Sequence, residues 1–399
     1  MRRSIRGPAC REAGPPVAST WRGRGSGRIV SILTTGERGG AEYASVDLLE
    51  ALVRRGHDVV VLTNLVDLAH GTMLPVKSID LGPKLSRESV ARVTLAAPRT
   101  LWKLACALRA ERPVDVVFVH FKKEQLLCSL LPRRLTGRIV WAEWGPVPKP
   151  MRRGLGRVCY MLAARRAARV LAISEGTRRT VIAAGVDAGK VEVVPNLIDM
   201  DAVAFDPASR HRLRREWGVS DETFVVGCIS RFQARKRNDV VIDAMGHLDG
   251  DVILVLAGEG EQEQALRERA CPHGERVRFV PNVRGHVEEF LSACDVLAFA
   301  PSPTEGEPRV IVMSQLVGVP VVATDGEGAE GLIPAGGGMI VSPSHDPVAL
   351  ARALAGYRDE RERCRREGEL ARRAARASHD PDRLLAAVEC ALGSDLGSR

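Results

Sequence analysis

Short apolar segments alternate with amphipathic segments along almost the whole chain, and this alternation restricts the fold more than any other feature. The first apolar segment, residues 29–33, is rich in β-branched side chains and has no alternating polar residues, as in a strand buried on both faces. Apolar residues then recur at helical spacing over 44–53, Gly56 ends the predicted helix, and another apolar segment follows at 59–62. The order strand, helix, strand predicts a parallel sheet with helices on both faces.

The alternation occurs in two series, and a turn-rich segment at 195–207 separates them as a domain boundary. Further strands of the first series are predicted over 115–119, 138–141, 170–173 and 191–194. The second series predicts strands over 224–229, 252–256, 277–280, 295–300 and 319–324, with helices over 239–248, 261–270, 287–293 and 309–317. We therefore expect an α/β protein of two doubly wound, Rossmann-like parallel-sheet domains, residues 28–200 and 201–376, facing a central cleft. The tail is predicted to be helical, and its last helix, within 377–399, to pack back on the first domain.

The net charge of +9 is concentrated at the amino-terminal end. Six arginines and one glutamate give residues 1–27 a charge of +5, which leaves +4 for the remainder, so we expect no nucleic-acid partner. This leader is rich in Arg, Gly, Pro and Ser and has no apolar h-region, so we predict a disordered basic segment and not a secretory signal. The nine cysteines form no C-x-x-C pair or Cys/His cluster. We expect a cytoplasmic protein with reduced thiols and no bound metal.

The segment CISRFQARKR, residues 228–237, places two cations where a strand passes into a helix. Arg231 follows the strand, and Lys236 lies at the start of the next predicted helix. Positive charge near a helix amino terminus is unfavourable unless an anion lies between the charges. The segment therefore predicts an anion site, and the alternative is a solvated basic turn.

Two other segments also follow predicted strands. Residues 36–42, GERGGAE, precede the first helix, where Gly39 and Gly40 would let backbone N–H groups approach an anion; a plain tight turn is the alternative. In the second domain PSPTEGEPRV, residues 301–310, carries Glu305 directly after a buried strand. A carboxylate there would face the ligand crevice of an open α/β sheet, or it would cap the next helix.

Together these segments resemble the family 4 retaining glycosyltransferases, enzymes of the GT-B fold in the glycosyl transferases group 1. The residues that carry the resemblance are Arg231 and Lys236 at the family's spacing, Gly227 one place further back than usual, Glu305, Ile-Ser-Glu at 173–175 and VVPNLID at 193–199. The resemblance covers residues 28–393. It implies transfer of a sugar from a nucleotide diphosphate donor to an acceptor hydroxyl with retention of configuration. The nucleotide sugar would be a co-substrate, and neither a metal nor a bound cofactor is implied.

The resemblance also implies roles for single residues. Arg231 and Lys236 would hold the donor diphosphate and neutralise it as the glycosidic bond breaks, and Glu305 would face the donor sugar. The implied catalytic residues are Arg231, Lys236, Glu305 and His120. The implied donor site comprises Gly39, Gly40, Arg231, Lys236, Glu305, Gly306, Glu307, Pro308, Arg309, Val310 and Met313.

Met313 departs from the family, which usually has a second glutamate eight residues after the first. In relatives that carboxylate accepts hydrogen bonds from the nucleotide ribose, and a thioether accepts them very poorly. Three interpretations stay open: Ser314 or Gln315 replaces the contact, the ribose is bound weakly or is a deoxyribose, or the enzyme is degraded.

The acceptor side is predicted to include His120, Glu143 and Trp144, which end two neighbouring strands of the first domain. His120 lies where many relatives carry a histidine near the acceptor, although a histidine in such a place is often only structural. Relatives often have His-Gly where this chain has Trp144 and Gly145. Trp144 could stack on a sugar ring, and Glu143 could bind a hydroxyl or an amine.

Two alternatives to a plain glycosyltransferase remain. Met313 and Trp144 would suit a catalytically weak or inactive protein that binds a sugar nucleotide or a glycan. Residues 152–169 carry six arginines beside Leu155, Val158 and Leu162, as interfacial helices do, although an ordinary surface helix has the same pattern. That segment would suit an enzyme at the inner membrane face with a lipid-linked acceptor. Otherwise we expect a carbohydrate-type or small-molecule acceptor, and the sequence does not give the oligomeric state.

Overall fold

In the computed structural model the chain forms two parallel β-sheets, each covered by helices on both faces. The structure describes residues 27–36, 39–69, 71–86, 88–283, 285–302, 306–326, 328–343 and 346–393. All but the last residue of the predicted leader, 1–27, lies outside these ranges. The prediction of two doubly wound parallel-sheet domains is confirmed.

The first sheet has seven strands in the order β3-β2-β1-β4-β5-β6-β7, all parallel. The strands are β1 (Arg28–Leu33), β2 (Asp58–Thr63), β3 (Val76–Ser78), β4 (Val116–Val119), β5 (Arg138–Glu143), β6 (Ala167–Ala172) and β7 (Val191–Val193). The helices are α1 (Gly40–Arg54), α2 (Val90–Ala110), α3 (Lys122–Leu130), α4 (Arg133–Thr136), α5 (Gly154–Ala164) and α6 (Glu175–Ala183). Because the strand order reverses between β1 and β4, the loops that follow these strands diverge and leave a crevice.

Both faces of the first sheet are buried, which explains its continuous apolar strands. On one face Val30, Val117 and Trp141 pack with residues of α2, α3, α5 and α6. On the other face Ile29 and Phe118 pack with α1 and with the last helix of the chain.

The second sheet has six parallel strands in the order β10-β9-β8-β11-β12-β13. The strands are β8 (Phe224–Ile229), β9 (Val252–Ala257), β10 (Val277–Val280), β11 (Val296–Phe299), β12 (Val321–Thr324) and β13 (Gly338–Val341). The helices that follow the first domain are α7 (Pro207–Glu216), α8 (Asn238–Ala244), α9 (Glu263–Ala270), α10 (Val287–Ala293), α11 (Arg309–Val317), α12 (Pro347–Asp359), α13 (Arg361–Ser378) and α14 (Pro381–Leu392). The strand order reverses between β8 and β11, so this domain also has a crevice at its strand ends.

Some predicted elements differ from the structure in extent. The helix predicted over 239–248 ends at Ala244 and continues as a 3₁₀ turn, Met245–His247. The strand predicted over 319–324 begins only at Val321, because Pro320 has no N–H to donate to the ladder. The sequence analysis omitted β3 and β13, which are short strands at the edges of the two sheets.

The last helix, α14, lies on the first domain although it follows the helices of the second. Leu385 and Val388 are buried against α1 and the first sheet. Arg55 of the first domain pairs with both Asp382 and Glu389, and the His57 ring contacts Glu389 at 3.0 Å. The chain therefore crosses between the domains twice, once near residue 200 and once between α13 and α14.

Candidate functional site

A cleft of about 580 Å³ lies between the domains at the carboxyl ends of β1, β4, β8 and β11. This volume suits a small-molecule ligand. The cleft is lined by all but one of the predicted site residues: Gly39, Gly40, His120, Glu143, Trp144, Arg231, Lys236, Gly306, Glu307, Pro308, Arg309, Val310 and Met313. The exception is Glu305, which belongs to segment 303–305 outside the described residues. Residues as distant in the chain as Gly39 and Met313 thus meet on one surface.

The glycine loop after β1 meets the basic loop after β8 across the cleft. Gly39 caps α1 in extended backbone, and its N–H donates to the Glu42 carboxylate at 3.0 Å. A side chain at Gly39 would lie 3.2 Å from the guanidinium of Arg231. The guanidinium of Arg231 and the partial positive charge at the amino end of α1 therefore face the same part of the cleft.

The basic loop is a compact turn that directs its side chains into the cleft. After β8 it forms a 3₁₀ turn, Ala234–Lys236, and then Arg237 adopts left-handed backbone (φ 50°) before α8 begins. The Lys236 ammonium lies 5.6 Å from the centre of the Phe299 ring at the end of β11. Arg231, Arg235 and Lys236 all line the cleft, so three cations surround this part of it.

The segment that follows the undescribed residues 303–305 is held by the first domain. A Cβ at Gly306 would lie 2.4 Å from the carbonyl oxygen of Trp144, so only glycine fits there. The side chain of Glu307 is buried and accepts a hydrogen bond from the backbone N–H of Asn196, and its other oxygen lies 3.4 Å from Nε2 of His379. Glu307 therefore lines the cleft, but both oxygens of its carboxylate contact groups within the protein.

Arg309 opens α11 and reaches back to the first domain. Its Nη2 atom lies 2.6 Å from the Asp47 carboxylate on α1. Its Nη1 atom is buried and has no hydrogen-bond partner in the described part of the chain. A buried guanidinium nitrogen without an acceptor is costly, which favours an acceptor atom arriving with a ligand.

Val310 and Met313 lie three residues apart on the side of α11 that faces the cleft, so Met313 occupies the place predicted for it. The suggestion that Ser314 or Gln315 replaces the missing glutamate is wrong. The Ser314 hydroxyl donates to the carbonyl of Val319 at 2.9 Å, and the Gln315 amide donates to that of Leu332 at 2.8 Å. Both side chains are buried, and neither lines the cleft.

His120 directly follows β4 at the cleft, where three side chains contact its ring. Nε2 lies 2.9 Å from the Ser31 hydroxyl, Nδ1 lies 3.1 Å from that of Ser45, and the Trp144 indole N–H donates to Nδ1 at 3.3 Å. An indole nitrogen can only donate, so Nδ1 is unprotonated and the hydrogen is on Nε2. Burial lowers the pKa of His120 to about 3. The ring is therefore neutral, and both of its nitrogens form hydrogen bonds within the protein.

Glu143 ends β5, and its carboxylate is occupied on both oxygens. The Tyr160 hydroxyl donates to one at 2.8 Å, and the Lys122 ammonium pairs with the other. Burial lowers the pKa of Lys122, while Glu143 acts in the opposite direction. The hydroxyl and the amine that Glu143 was predicted to bind are thus supplied by the protein itself. Trp144 also uses its polar group internally, on His120.

Several cleft residues were not predicted as site residues, although three of them lie in segments that were: Glu42, Lys84, Leu85, Lys122, Lys123, Asn196, Arg235 and Glu259. Lys122 and Lys123 could have been identified from the sequence, because they begin α3 only two residues after His120, which follows β4. The Lys123 ammonium is buried and donates to the carbonyls of Leu81, Gly82 and Pro83 at 2.8–3.2 Å. It thereby fixes the loop that carries Lys84 and Leu85 into the cleft.

Comparison with known proteins gives the class of this two-domain arrangement. The family described as Glycosyltransferase Family 4 matches residues 38–202, and the family described as Glycosyl transferases group 1 matches residues 209–374. The chain belongs to the family 4 glycosyltransferases, and the predicted family and GT-B fold are confirmed.

Similar proteins of known name and structure agree with this assignment. A D-inositol 3-phosphate glycosyltransferase of Xylanimonas cellulosilytica is 27% identical over 351 residues, covering 80% of this chain and 83% of the relative. A GDP-mannose-dependent alpha-(1-6)-phosphatidylinositol monomannoside mannosyltransferase of Mycolicibacterium smegmatis is 33% identical over 172 residues, covering 39% and 44%. The crystal structure of Anabaena Alr3699/HepE with UDP superposes with a TM-score of 0.79 at 22% identity, covering 92% of this chain and 100% of that one. At that identity the structural likeness supports the fold alone.

Proposed function

We propose that this glycosyltransferase moves a sugar from a nucleotide diphosphate donor to an acceptor hydroxyl, without a metal and with retention of configuration. The observation that carries the proposal is the position of Arg231 and Lys236 on the cleft wall, with Arg231 against Gly39 at the amino end of α1. A diphosphate between these groups would receive two side-chain cations and backbone N–H groups. The relatives support a nucleotide-sugar donor, since one is named as GDP-mannose-dependent.

In the proposed reaction the leaving group is the nucleoside diphosphate, which also accepts the proton of the acceptor hydroxyl. The bond from the sugar anomeric carbon to the diphosphate oxygen breaks, and the acceptor oxygen bonds to that carbon on the same face. The acceptor proton passes to the departing phosphate oxygen, so no protein base is required. This agrees with His120 and Glu143, whose polar atoms are engaged within the protein. Arg231 and Lys236 stabilise the charge that develops on the diphosphate.

Glu305 and the neighbouring backbone are proposed to bind the donor sugar. This proposal is supported by the adjoining Gly306, which packs closely against Trp144 and Gly145 of the first domain. Met313 on α11 would lie at the ribose, where it offers a weak acceptor. We propose that the ribose is bound weakly or that the preferred donor is a deoxyribonucleotide.

The acceptor is proposed to be a carbohydrate-type or other small molecule with a free hydroxyl. The relatives named as D-inositol 3-phosphate glycosyltransferases make a polyol phosphate the first acceptor to test. Lys84 supports that choice, because its exposed ammonium stands on the cleft wall near Phe121, 5.5 Å from the ring centre.

Calorimetric binding of UDP, GDP, ADP and dTDP tests the proposal directly. We expect one of them to bind with micromolar affinity to the wild-type protein, and binding to be lost in Arg231→Ala. Arg373→Ala is the matched control, since Arg373 is exposed on α13 far along the chain from the basic loop. Absence of binding by every diphosphate would refute the donor site.

A sugar-nucleotide or glycan-binding protein with little or no catalysis is the second candidate, and Met313 in place of the family's glutamate is the observation that favours it. Binding of a diphosphate without release of nucleotide from any sugar nucleotide, with or without polyol phosphates, would support this candidate over the enzyme.

No helix in the described ranges is both long and apolar enough to span a bilayer. We propose a cytoplasmic protein, with peripheral contact at the inner membrane face as the further possibility that α5 supports. The 152–169 segment is not one helix: α5 occupies Gly154–Ala164, and β6 begins at Ala167. Leu155, Val158 and Leu162 are exposed on α5.

A further inference from the structure

Two helices on the same side of the first domain present large apolar side chains to solvent. On α5 the exposed side chains are Leu155 (78%), Val158 (44%) and Leu162 (50%), which lie at i, i+3 and i+7 and so share one side of the helix. On α2 they are Leu95 (85%) and Trp102 (66%). Two such stripes are more than the scattered apolar residues of an ordinary surface.

The two stripes point in the same direction. The buried sides of α2 and α5 belong to one hydrophobic core on one face of the sheet, so their opposite sides both face away from that sheet. Helix α3 packs between them, and its last residue, Leu130, is also 70% exposed. We call this surface the α2–α5 face; its apolar members are Leu95, Trp102, Leu130, Leu155, Val158 and Leu162.

The charge of the α2–α5 face has a single sign. Residues 90–110 contain four basic and no acidic residues, and residues 149–166, which enclose α5, contain six basic and no acidic residues. On α2, Arg92 and Arg99 are exposed at the spacing that places them in line with Leu95 and Trp102. None of these ten cations forms an ion pair within the described part of the chain. Among the described residues the face therefore carries positive charge that no carboxylate offsets.

We propose that the α2–α5 face binds the surface of an anionic lipid bilayer. Aliphatic side chains between arginines can enter the headgroup region while the guanidinium groups stay with the phosphates. A nucleic acid would be matched by the charge and by the ring of Trp102. It would not be matched by Leu95, Leu155 and Leu162, which offer no ring to stack on a base and make up more of the face.

The face also adjoins the candidate active site. Lys84 and Leu85, which line the cleft, precede α2, and Pro146 and Pro148, which also line it, precede α5. Both helices therefore run away from the rim of the cleft, and a bilayer on the α2–α5 face would lie beside the acceptor side. An acceptor with a lipid anchor could reach the cleft from such a surface.

Co-sedimentation with vesicles of defined composition tests the proposal without any need for turnover. The probes are phosphatidylcholine vesicles with and without about two in five phosphatidylglycerol, at about 0.1 M and 0.5 M salt. We expect binding only to the anionic vesicles and weaker binding at high salt. Leu155→Ser combined with Leu162→Ser should lower the partition coefficient by about 10-fold or more, and Arg153→Ala by about 5-fold. Leu370→Ser, an exposed leucine on α13, is the matched control and should bind like wild type.

Three results would overturn the proposal. The first is absence of binding to anionic vesicles. The second is binding that depends on charge alone. Either equal vesicle binding by wild type and the Leu155/Leu162 variant or equally tight binding of duplex DNA would show this. The third is a dimer in solution that the same double substitution dissociates, because a second copy of the chain would then cover the face. Failure of sugar transfer leaves each of these results interpretable, since vesicle binding does not require catalysis.

Discussion

Substitution of Gly306 by alanine should disable the enzyme by separating its domains while leaving each domain folded. The Cβ of alanine would lie 2.4 Å from the carbonyl oxygen of Trp144 and 2.8 Å from the Cα of Gly145. Carbon and oxygen atoms in close contact stay about 3.3 Å apart, so the gap must widen by about 1 Å. The added atom lies between the domains and not inside either core. A misplacement of about 1 Å in a catalytic arrangement costs about 10²-fold in turnover, or about 2.7 kcal/mol of transition-state stabilisation.

The assay is release of nucleoside diphosphate from the sugar nucleotide that the wild-type protein turns over. Turnover should fall about 100-fold in Gly306→Ala. The dissociation constant of the nucleoside diphosphate should change only a few-fold, because Arg231 and Lys236 are both on the second domain. The melting temperature should stay near that of wild type. Gly356→Ala on α12 is the matched control, since its Cβ would meet nothing within 4 Å. Wild-type turnover in Gly306→Ala would refute the reasoning that this contact sets the cleft.

Three other substitutions test the site. Lys236→Ala should lower turnover by about 10²–10³-fold, measured by diphosphate release, with Arg373→Ala unaffected; retention of half the activity would contradict the leaving-group role. Met313→Glu should raise the preference for UDP over dUDP by about 10-fold in calorimetry, because a carboxylate accepts from the 2′-hydroxyl; an unchanged ratio would remove Met313 from the ribose site. For His120 the folded pKa is about 3 and the unfolded value 6.5, so between these pH values the unfolded state holds more protons and stability falls as pH falls. The free energy of unfolding of the wild type should therefore be about 2 kcal/mol lower at pH 5 than at pH 7. In urea denaturation, the free energy of unfolding of wild type minus that of His120→Asn should decrease by about that amount; the same value at both pH values would show that the pKa of His120 is not lowered.

The fold could be predicted from the sequence because both sheets are buried on two faces. Strands such as 116–119 and 252–256 then contain uninterrupted apolar residues, which are distinct from the amphipathic helices between them. Edge strands lack that signal: β3 is Val-Lys-Ser, with two exposed residues, and only its pairing with β2 identifies it. Helix α2 was missed for a related reason, since half of it protrudes with apolar residues on its exposed side.

The site could be predicted as a set of positions but not as a set of contacts. Strand ends place Gly39, His120, Arg231 and Gly306 at the cleft, because strand order decides where loops meet. The sequence does not reveal which polar atoms are already used within the protein. The occupied carboxylates of Glu143 and Glu307 and the engaged nitrogens of His120 depend on partners that are distant in the chain. The positions of His120, Glu143 and Trp144 at the cleft could therefore be predicted, but their hydrogen-bond partners could not.

The two crossings of the chain between the domains define an axis for rotation of one domain against the other. Asn196 belongs to the first crossing and His379 to the second, and both contact Glu307, three residues before Val310 on the cleft side of α11. A rotation of one domain against the other would turn about the line through these two points, and atoms on that line move least. Gly306 adjoins Glu307 and therefore lies close to this axis. Opening of the cleft would move Gly306 little and would move the parts of the acceptor wall further from the axis much more.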